Sequence, residues 1–128
     1  MADKIAFAIY MLCIILIAII AATAVALAGM PPKKYDKPYA GRLVEWKVPL
    51  GRAAAKCNGL ARDLGQTPDH PYRIDGRPLY GCAYPFKGEC YIVWSFDPSG
   101  RDKAMADNVR RHEIGHCNGW PAGHPGAR

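Results

Sequence analysis

The sequence predicts a small α+β domain that follows an apolar N-terminal segment. Three observations support this prediction: a long uncharged run near the N-terminus, a stretch rich in proline and lysine after it, and, beyond residue 42, short segments of alternating strand-type and helix-type periodicity. The chain has 128 residues, which is enough for one small domain. We therefore divide it into a membrane anchor or signal peptide (1–29), a linker (30–41) and a domain (42–128).

The first segment contains a run, residues 5–29, that carries no charged side chain. More than about 18 apolar residues are enough to cross a bilayer as a helix. The small residues Ala26 and Ala28 also predict a site for signal peptidase cleavage before Gly29. The length of the run favours an uncleaved anchor, and a buried helix of a soluble core is the alternative.

The cysteine content indicates an oxidising compartment. One cysteine, Cys13, lies in the apolar run, and four lie beyond it: Cys57, Cys82, Cys90 and Cys117. An even number in a small domain behind an export-type segment predicts two disulfides and a domain on the periplasmic or extracellular side. Four reduced thiols are the alternative. The lysines that follow the run would favour a cytoplasmic domain under the positive-inside rule.

The net charge of +6 restricts the class of partner. Basic residues near a membrane are attracted to anionic head groups. Here they are scattered and form no stripe with interleaved aromatic residues, so we expect a solvated surface and no nucleic-acid partner. The stretch "MPPKKYDKPYAG" predicts a semi-rigid linker.

The first elements of the domain are a strand and a helix. In "RLVEWKV" Val44, Trp46 and Val48 alternate with Leu43, Glu45 and Lys47, which predicts a half-buried strand. In "RAAAKCNGLARDLG" apolar residues recur at helical spacing and Gly65 ends the pattern. The predicted inner stripe of this helix is Ala53, Cys57, Leu60, Ala61 and Leu64.

The middle of the chain predicts loops and short strands. His70 lies in "TPDHP", where we expect a solvated loop histidine. Asp75-Gly76 predicts a hairpin turn, and Pro78 places the arm after it at a sheet edge. "CAYPFKGEC" is predicted to form a loop, and "YIVWSF" a strand with Ile92, Trp94 and Phe96 on one face.

The last element carries the chemistry. "RDKAMADNVRRHEIGHCNG" predicts a helix that ends at Asn118-Gly119, with Met105, Val109, His112 and His116 on one stripe. Imidazoles four residues apart on a helix can bind one tetrahedral Zn²⁺. Glu113 lies about 100° further round the helix, where it can take a proton from a water on the metal.

"HEIGH" resembles the HExxH signature of the zincin metallopeptidases. The resemblance implies a zinc-dependent peptidase with His112 and His116 as ligands and Glu113 as general base. It also implies a small zincin-like domain, a twisted mixed sheet with two helices. "YIVWSF" would be the edge strand that binds the peptide substrate.

The continuation "HEIGHCNG" resembles the metzincin branch of this family, in which a third ligand stands three residues after the glycine. That position is Ala122 here, and His124 follows two residues later. A slightly larger loop would bring His124 to the metal as the third ligand, against the alternative of a solvated tail histidine.

The disulfide pairing has three possible solutions. Cys117 is adjacent to His116 and so points to another side of the helix, which suits a bond to Cys57 better than a bond to zinc. A Cys82–Cys90 bond would then close the loop before the strand. We predict these two bonds.

Two functions from different classes follow. The first is a membrane-tethered or exported peptidase that hydrolyses a peptide or protein substrate through Zn²⁺ and Glu113. The second is a non-catalytic binding or assembly protein of the cell envelope, stabilised by zinc and disulfides, which the small size of the domain favours. The oligomeric state stays open.

Overall fold

The computed structural model of the protein describes Met11 and residues 29–67 and 79–128. These ranges contain the strands β1 (Arg42–Pro49), β2 (Gly81–Phe86) and β3 (Glu89–Phe96), a short 3₁₀ helix (Leu50–Arg52), and the helices α1 (Ala53–Asp63) and α2 (Met105–Cys117). The predicted α+β class, with a mixed sheet and two helices, is confirmed.

Some sequence predictions concern residues outside the described ranges. They include His70, the Asp75-Gly76 turn and Pro78. The apolar run also lies outside them, apart from Met11 and Gly29. Among the described residues no helix has the length and hydrophobicity needed to cross a bilayer.

The sheet has the order β1-β3-β2, with β1 parallel and β2 antiparallel to β3. The prediction that "YIVWSF" is an edge strand is therefore wrong, because β3 is the central strand and is paired on both sides. Its sequence contained a sign of this: Ile92 and Val93 are adjacent, face opposite sides of the sheet, and are both fully buried. Apolar residues in succession are typical of a strand covered on both faces.

The predicted alternation of β1 is confirmed. Trp46 and Val48 pack in the cluster under α1, while Leu43 packs in the cluster under α2. The structure also buries the predicted stripe of α1 at Ala53, Cys57, Leu60 and Ala61. The two helices therefore cover opposite faces of the sheet, and each face has its own apolar core.

β2 and β3 form a β-hairpin where the sequence predicted a loop. The strands are joined by Lys87 and Gly88, which have φ angles of 50° and 82°. Positive φ at both turn residues matches the twist of a two-residue hairpin, and glycine adopts it without steric cost. In this register Cys82 pairs with Val93 and Cys90 with Pro85.

All four cysteines beyond the apolar run form disulfides, but the predicted pairing is wrong. The bonds are Cys57–Cys82 and Cys90–Cys117. The hairpin explains the difference: Cys82 faces α1 and Cys90 faces α2, so the sheet separates these two side chains. Each disulfide therefore joins one helix to the face of the sheet that it covers.

Residues 30–41, which we predicted to be a linker, pack on the domain. The side chain of Pro31 is fully buried, and Asp36 forms ion pairs with Arg111 and Arg128. Asn118, just after α2, donates from its side-chain amide to the carbonyls of Tyr35 and Lys37 at 2.9 and 2.7 Å. The proline-rich composition predicted a semi-rigid linker and gave no sign of these partners. The segment contains a turn, in which the backbone amides of Tyr35 and Asp36 both donate to the carbonyl of Pro32.

The helix α2 begins four residues later than the pattern predicted and ends as predicted. Asp97 accepts hydrogen bonds from the backbone amides of Ser99, Arg101 and Asp102, which fixes the turn before the helix. The Asp102 carboxylate then accepts from the amide of Met105 at the first turn. At the other end Gly119, with φ of 92°, reverses the chain.

Candidate metal centre

The centre is built on the last two turns of α2. His112 and His116 are four residues apart and lie on the same side of the helix, with their Nε2 atoms 3.2 Å apart. The buried residues of the helix are Met105, Glu113, Ile114 and Gly115. Met105, Val109, His112 and His116 lie along one side of this helix, as their spacing predicted. Met105 is buried, and the other three are half-buried.

The loop after α2 brings His124 to the same point. The amide of Trp120 donates to the carbonyl of Gly115, and that of His124 donates to the carbonyl of Pro121, so the chain folds back on the helix end. His124 Nε2 then lies 3.0 Å from His112 Nε2. The three ligand atoms all lie within 4.8 Å of one another. The structure thus brings together the three histidines that the sequence singled out, including the displaced third one.

Backbone carbonyls fix the rings of His112 and His116. Their Nδ1–H groups donate to the carbonyls of Gly29 and Trp120, the second at 2.7 Å. A carbonyl only accepts, so the proton of each neutral ring is on Nδ1 and the lone pair on Nε2. Both lone pairs therefore point toward the centre, which is the outer-shell arrangement that orients histidine ligands for a metal.

The three nitrogen atoms are spaced so that they could hold a metal ion. In a tetrahedral site with Zn–N distances of about 2.0–2.1 Å, two ligand nitrogens lie about 3.3 Å apart. The spacings of 3.0 and 3.2 Å are close to this value. Two nitrogen lone pairs at such a distance avoid repulsion when a proton or a metal cation lies between them. His124 is exposed and the other two are half-buried, so the centre opens to solvent on the side of His124.

Trp120 supports all three rings. Its side chain is 2 % exposed, its ring stacks on His116 with centroids 5.1 Å apart, and it meets His112 and His124 edge-on at 5.0 and 4.9 Å. The indole N–H donates to the carbonyl of Pro125 at 3.0 Å. These contacts agree with the interpretation of Trp120 as a packing residue over the helix end. The groups on which it packs are the three histidine rings.

Glu113 lies on a different side of α2 from the three histidines. It is 6 % exposed, and its carboxylate is packed against β2: a Cβ atom placed on Gly81 would be 2.7 Å from Glu113 Oε1 and 2.6 Å from the carbonyl oxygen of Val93. Gly81 therefore leaves the space that this carboxylate occupies. The group of converging ligand atoms consists of the three histidines and does not include Glu113.

Ion pairs hold α2 against the rest of the domain. The Arg111 guanidinium, and after it Arg128, lowers the pKa of Asp36 from its ordinary value. Arg110, which precedes Arg111, forms a bidentate pair with Glu45 of β1 and lowers the pKa of the Glu45 carboxyl. Both arginines next to His112 are thus neutralised by carboxylates.

Sequence reasoning missed the backbone groups of the centre. The Gly29 carbonyl has no signal in the sequence, because any residue carries a carbonyl and Gly29 is 83 positions from His112. Trp120 stands four residues after His116, in a loop of unpredicted shape. Gly81 is a glycine at the start of a strand, and such a glycine often marks a place where another group approaches the backbone closely. The sequence did not indicate that this group is Glu113.

No protein-family model matches this chain, and neither a curated protein nor a solved structure is similar to it.

Proposed function

We propose that the protein is a zinc-dependent peptidase. One observation carries the proposal: three Nε2 atoms converge, two of them oriented by backbone carbonyls, on a helix that also carries Glu113 next to His112. Catalytic zinc sites usually have three protein ligands and one position open to water or substrate, and three histidines on an open site match this number. The order of residues in "HEIGH" supports this chemistry, and the position of His124 and the two carbonyl contacts add to that support.

The residues have distinct roles in this proposal. His112, His116 and His124 would hold the ion, and Trp120 keeps their rings in place. When bound, zinc polarises the scissile carbonyl and lowers the pKa of a water molecule toward about 7. Glu113 takes the proton of the attacking water and delivers it to the leaving amine.

The sheet edge suggests where a peptide would bind. β3 is internal, so the described edge strand on the Glu113 side is β2, and its first residue, Gly81, contacts Glu113. An extended peptide that pairs with the outer edge of β2 would gain backbone hydrogen bonds. The bound peptide would then pass the Glu113 carboxylate at Gly81, the first residue of β2.

The variant Glu113→Gln tests the mechanism. It keeps the shape of the side chain and removes the base, so we expect about one zinc per chain, as in the parent, and hydrolysis of a quenched fluorescent peptide library lowered about 10²–10⁴-fold. The matched control is Glu89→Gln, which lies at the hairpin end of the sheet, away from Gly81. Undiminished hydrolysis in the Glu113 variant would contradict the proposed role.

The burial of Glu113 favours a second candidate, a binding or assembly protein that holds zinc for structure. A base must reach the substrate, and this carboxylate is 6 % exposed. In that case the parent binds zinc and is stabilised by it, yet hydrolyses no peptide of the library. Metal content and hydrolysis, measured on the same preparation, distinguish the two functions.

A further inference from the structure

The candidate metal centre is attached directly to the end of the apolar run. The carbonyl that orients His112 belongs to Gly29, and one peptide bond joins Gly29 to Ala28 in the uncharged run. Consecutive Cα atoms are about 3.8 Å apart. The end of the run is therefore a near neighbour of a predicted metal ligand.

The residues at this junction are held rigidly. The backbones of Met30 and Arg128 exchange two hydrogen bonds, of 3.0 and 2.9 Å. Pro31 is fully buried against α2, where a Cβ on Gly115 would lie 2.8 Å from the Pro31 Cβ. Because these contacts begin at Gly29, no flexible spacer separates the centre from the run.

The surface beside the junction is basic. Lys33, Lys34 and Lys37 follow Pro31 closely and are exposed. Such residues contribute about 1 kcal/mol each to attraction toward an anionic leaflet when they lie near its surface. The charge next to the junction thus suits the head-group region.

We propose that the metal centre operates at the membrane surface, on polypeptide segments that emerge from the same membrane. The inference rests on the proposed peptidase function and on the apolar run as a retained membrane anchor. An anchor that ends at Gly29 keeps the three histidines beside the head groups. A substrate held in the same bilayer reaches the centre at a high effective concentration, whereas a peptide in bulk solution does not.

The first experiment measures position without relying on catalysis. The full chain is reconstituted in vesicles of phosphatidylcholine with phosphatidylglycerol and a dansyl-headgroup lipid. Trp46→Phe and Trp94→Phe leave Trp120, which contacts all three histidines, as the one tryptophan donor. The control carries a Gly/Ser insertion of about ten residues between Ala28 and Gly29, with a root-mean-square span of about 17 Å.

We expect strong energy transfer from Trp120 to the dansyl lipid in the chain without the insertion, and a marked decrease with the insertion. Equal transfer in both, or a membrane-purified chain that begins at Gly29 by mass spectrometry, overturns the placement at the membrane. This outcome is independent of whether any peptide is cleaved.

The second experiment uses the chain with all tryptophans retained, so it does not depend on the folding of the double variant. One cleavable peptide is presented either free or attached to a lipid in the same vesicles. We expect at least about tenfold faster hydrolysis of the attached peptide, and a ratio closer to one with the insertion. Equal rates in the chain without the insertion overturn the substrate class. Hydrolysis of neither peptide, with energy transfer present, refutes the peptidase function and leaves the membrane placement standing.

Discussion

At the scale of single residues, the three histidines are held by groups that lie outside the cluster of Nε2 atoms. The Gly29 and Trp120 carbonyls orient two rings, and the Trp120 indole contacts all three. A ligand set that is fixed before the ion binds loses little conformational freedom on binding. We therefore expect tight binding from three ligands alone.

Removal of a ligand should weaken zinc binding more than removal of an outer-shell partner, which costs about 10–100-fold. We predict this for His112→Ala, His116→Ala and His124→Ala, as measured by competition with a chromophoric chelator. His70→Ala is the matched control, because we predict a solvated loop histidine at that position. An unchanged zinc affinity in the His124 variant would show that His124 is not a ligand.

A second residue-scale prediction concerns Gly81. Alanine there would place its Cβ 2.7 Å from Glu113 Oε1 and 2.6 Å from a backbone oxygen, so either the carboxylate or the strand must move. We expect Gly81→Ala to lower the free energy of unfolding by about 1–3 kcal/mol in urea denaturation.

The control for this variant is Gly59→Ala in α1, where a Cβ meets no atom within 4 Å. Alanine is the better helix former, so this change should stabilise the domain by about 0.5–1 kcal/mol. A neutral Gly81 variant beside a stabilised Gly59 variant would show that Glu113 does not need this space.

At the scale of elements, each helix is bonded to the sheet by one disulfide. Cys57–Cys82 fixes α1 and Cys90–Cys117 fixes α2, and Cys117 follows a predicted ligand directly. The sequence separations are 25 and 27 residues, so loop-closure entropy assigns each bond a similar contribution, about 3.5 kcal/mol. The two bonds differ in which face of the sheet they support.

We predict that the double variants Cys57→Ser/Cys82→Ser and Cys90→Ser/Cys117→Ser lose similar stability, about 2–4 kcal/mol each, in denaturant titrations. Only the second pair should also weaken zinc binding, because it frees the C-terminal end of α2. Each double variant is the control for the other. Equal loss of zinc affinity in both would show that the effect is one of global stability.

At the scale of the whole molecule, Asp36 joins three distant parts of the chain. Its carboxylate, in the segment after the apolar run, pairs with Arg111 of α2 and with Arg128 near the C-terminal end. The hydrogen bond from Arg111 is the main cause of its lowered pKa. Glu45 also has a lowered pKa, and the hydrogen bond from Arg110 of α2 is its main cause.

These shifts predict acid sensitivity. A carboxyl whose pKa is lower in the folded state stabilises the fold fully above its unfolded pKa, and this stabilisation is lost as the pH falls through the folded pKa. For Asp36 the stabilisation begins to be lost as the pH falls below about 3.8, the ordinary pKa of an aspartate. The pKa of Asp97 is lowered to about 2, so its contribution is lost as the pH falls from about 3.8 to about 2. We expect Asp36→Asn to be less stable than the parent at pH 7 and to lose less stability between pH 4 and 2.

Denaturant unfolding at a series of pH values measures this difference. Asp107→Asn, at an exposed position in the first turn of α2, is a control of the same chemistry. Parallel curves for the parent and the Asp36 variant would show that the ion pairs with Arg111 and Arg128 contribute no stability.

The sequence by itself determined the local features of this protein. Hydrophobic periodicity placed β1 with its partly buried Trp46 and Val48 and α1 with its buried stripe, and Asn118-Gly119 marked the end of α2. The spacing within "HEIGH" brought two imidazoles together, because residues four apart on a helix always share a face. Even the displaced His124 could be inferred, since the six residues between the helix end at Cys117 and His124 are enough for the chain to return to the helix.

Only the tertiary structure decided the non-local features. It placed β3 in the centre of the sheet, paired the cysteines across separate faces and packed residues 30–41 on the domain. It also set the Gly29 carbonyl against His112. The disulfides join residues 25 and 27 positions apart, and the Gly29–His112 contact joins residues 83 positions apart. Their geometry therefore depends on how the elements pack and not on any periodicity along the chain. A one-residue change of register would move Cys82 or Cys90 to the other face of the sheet, which is why packing selects their partners.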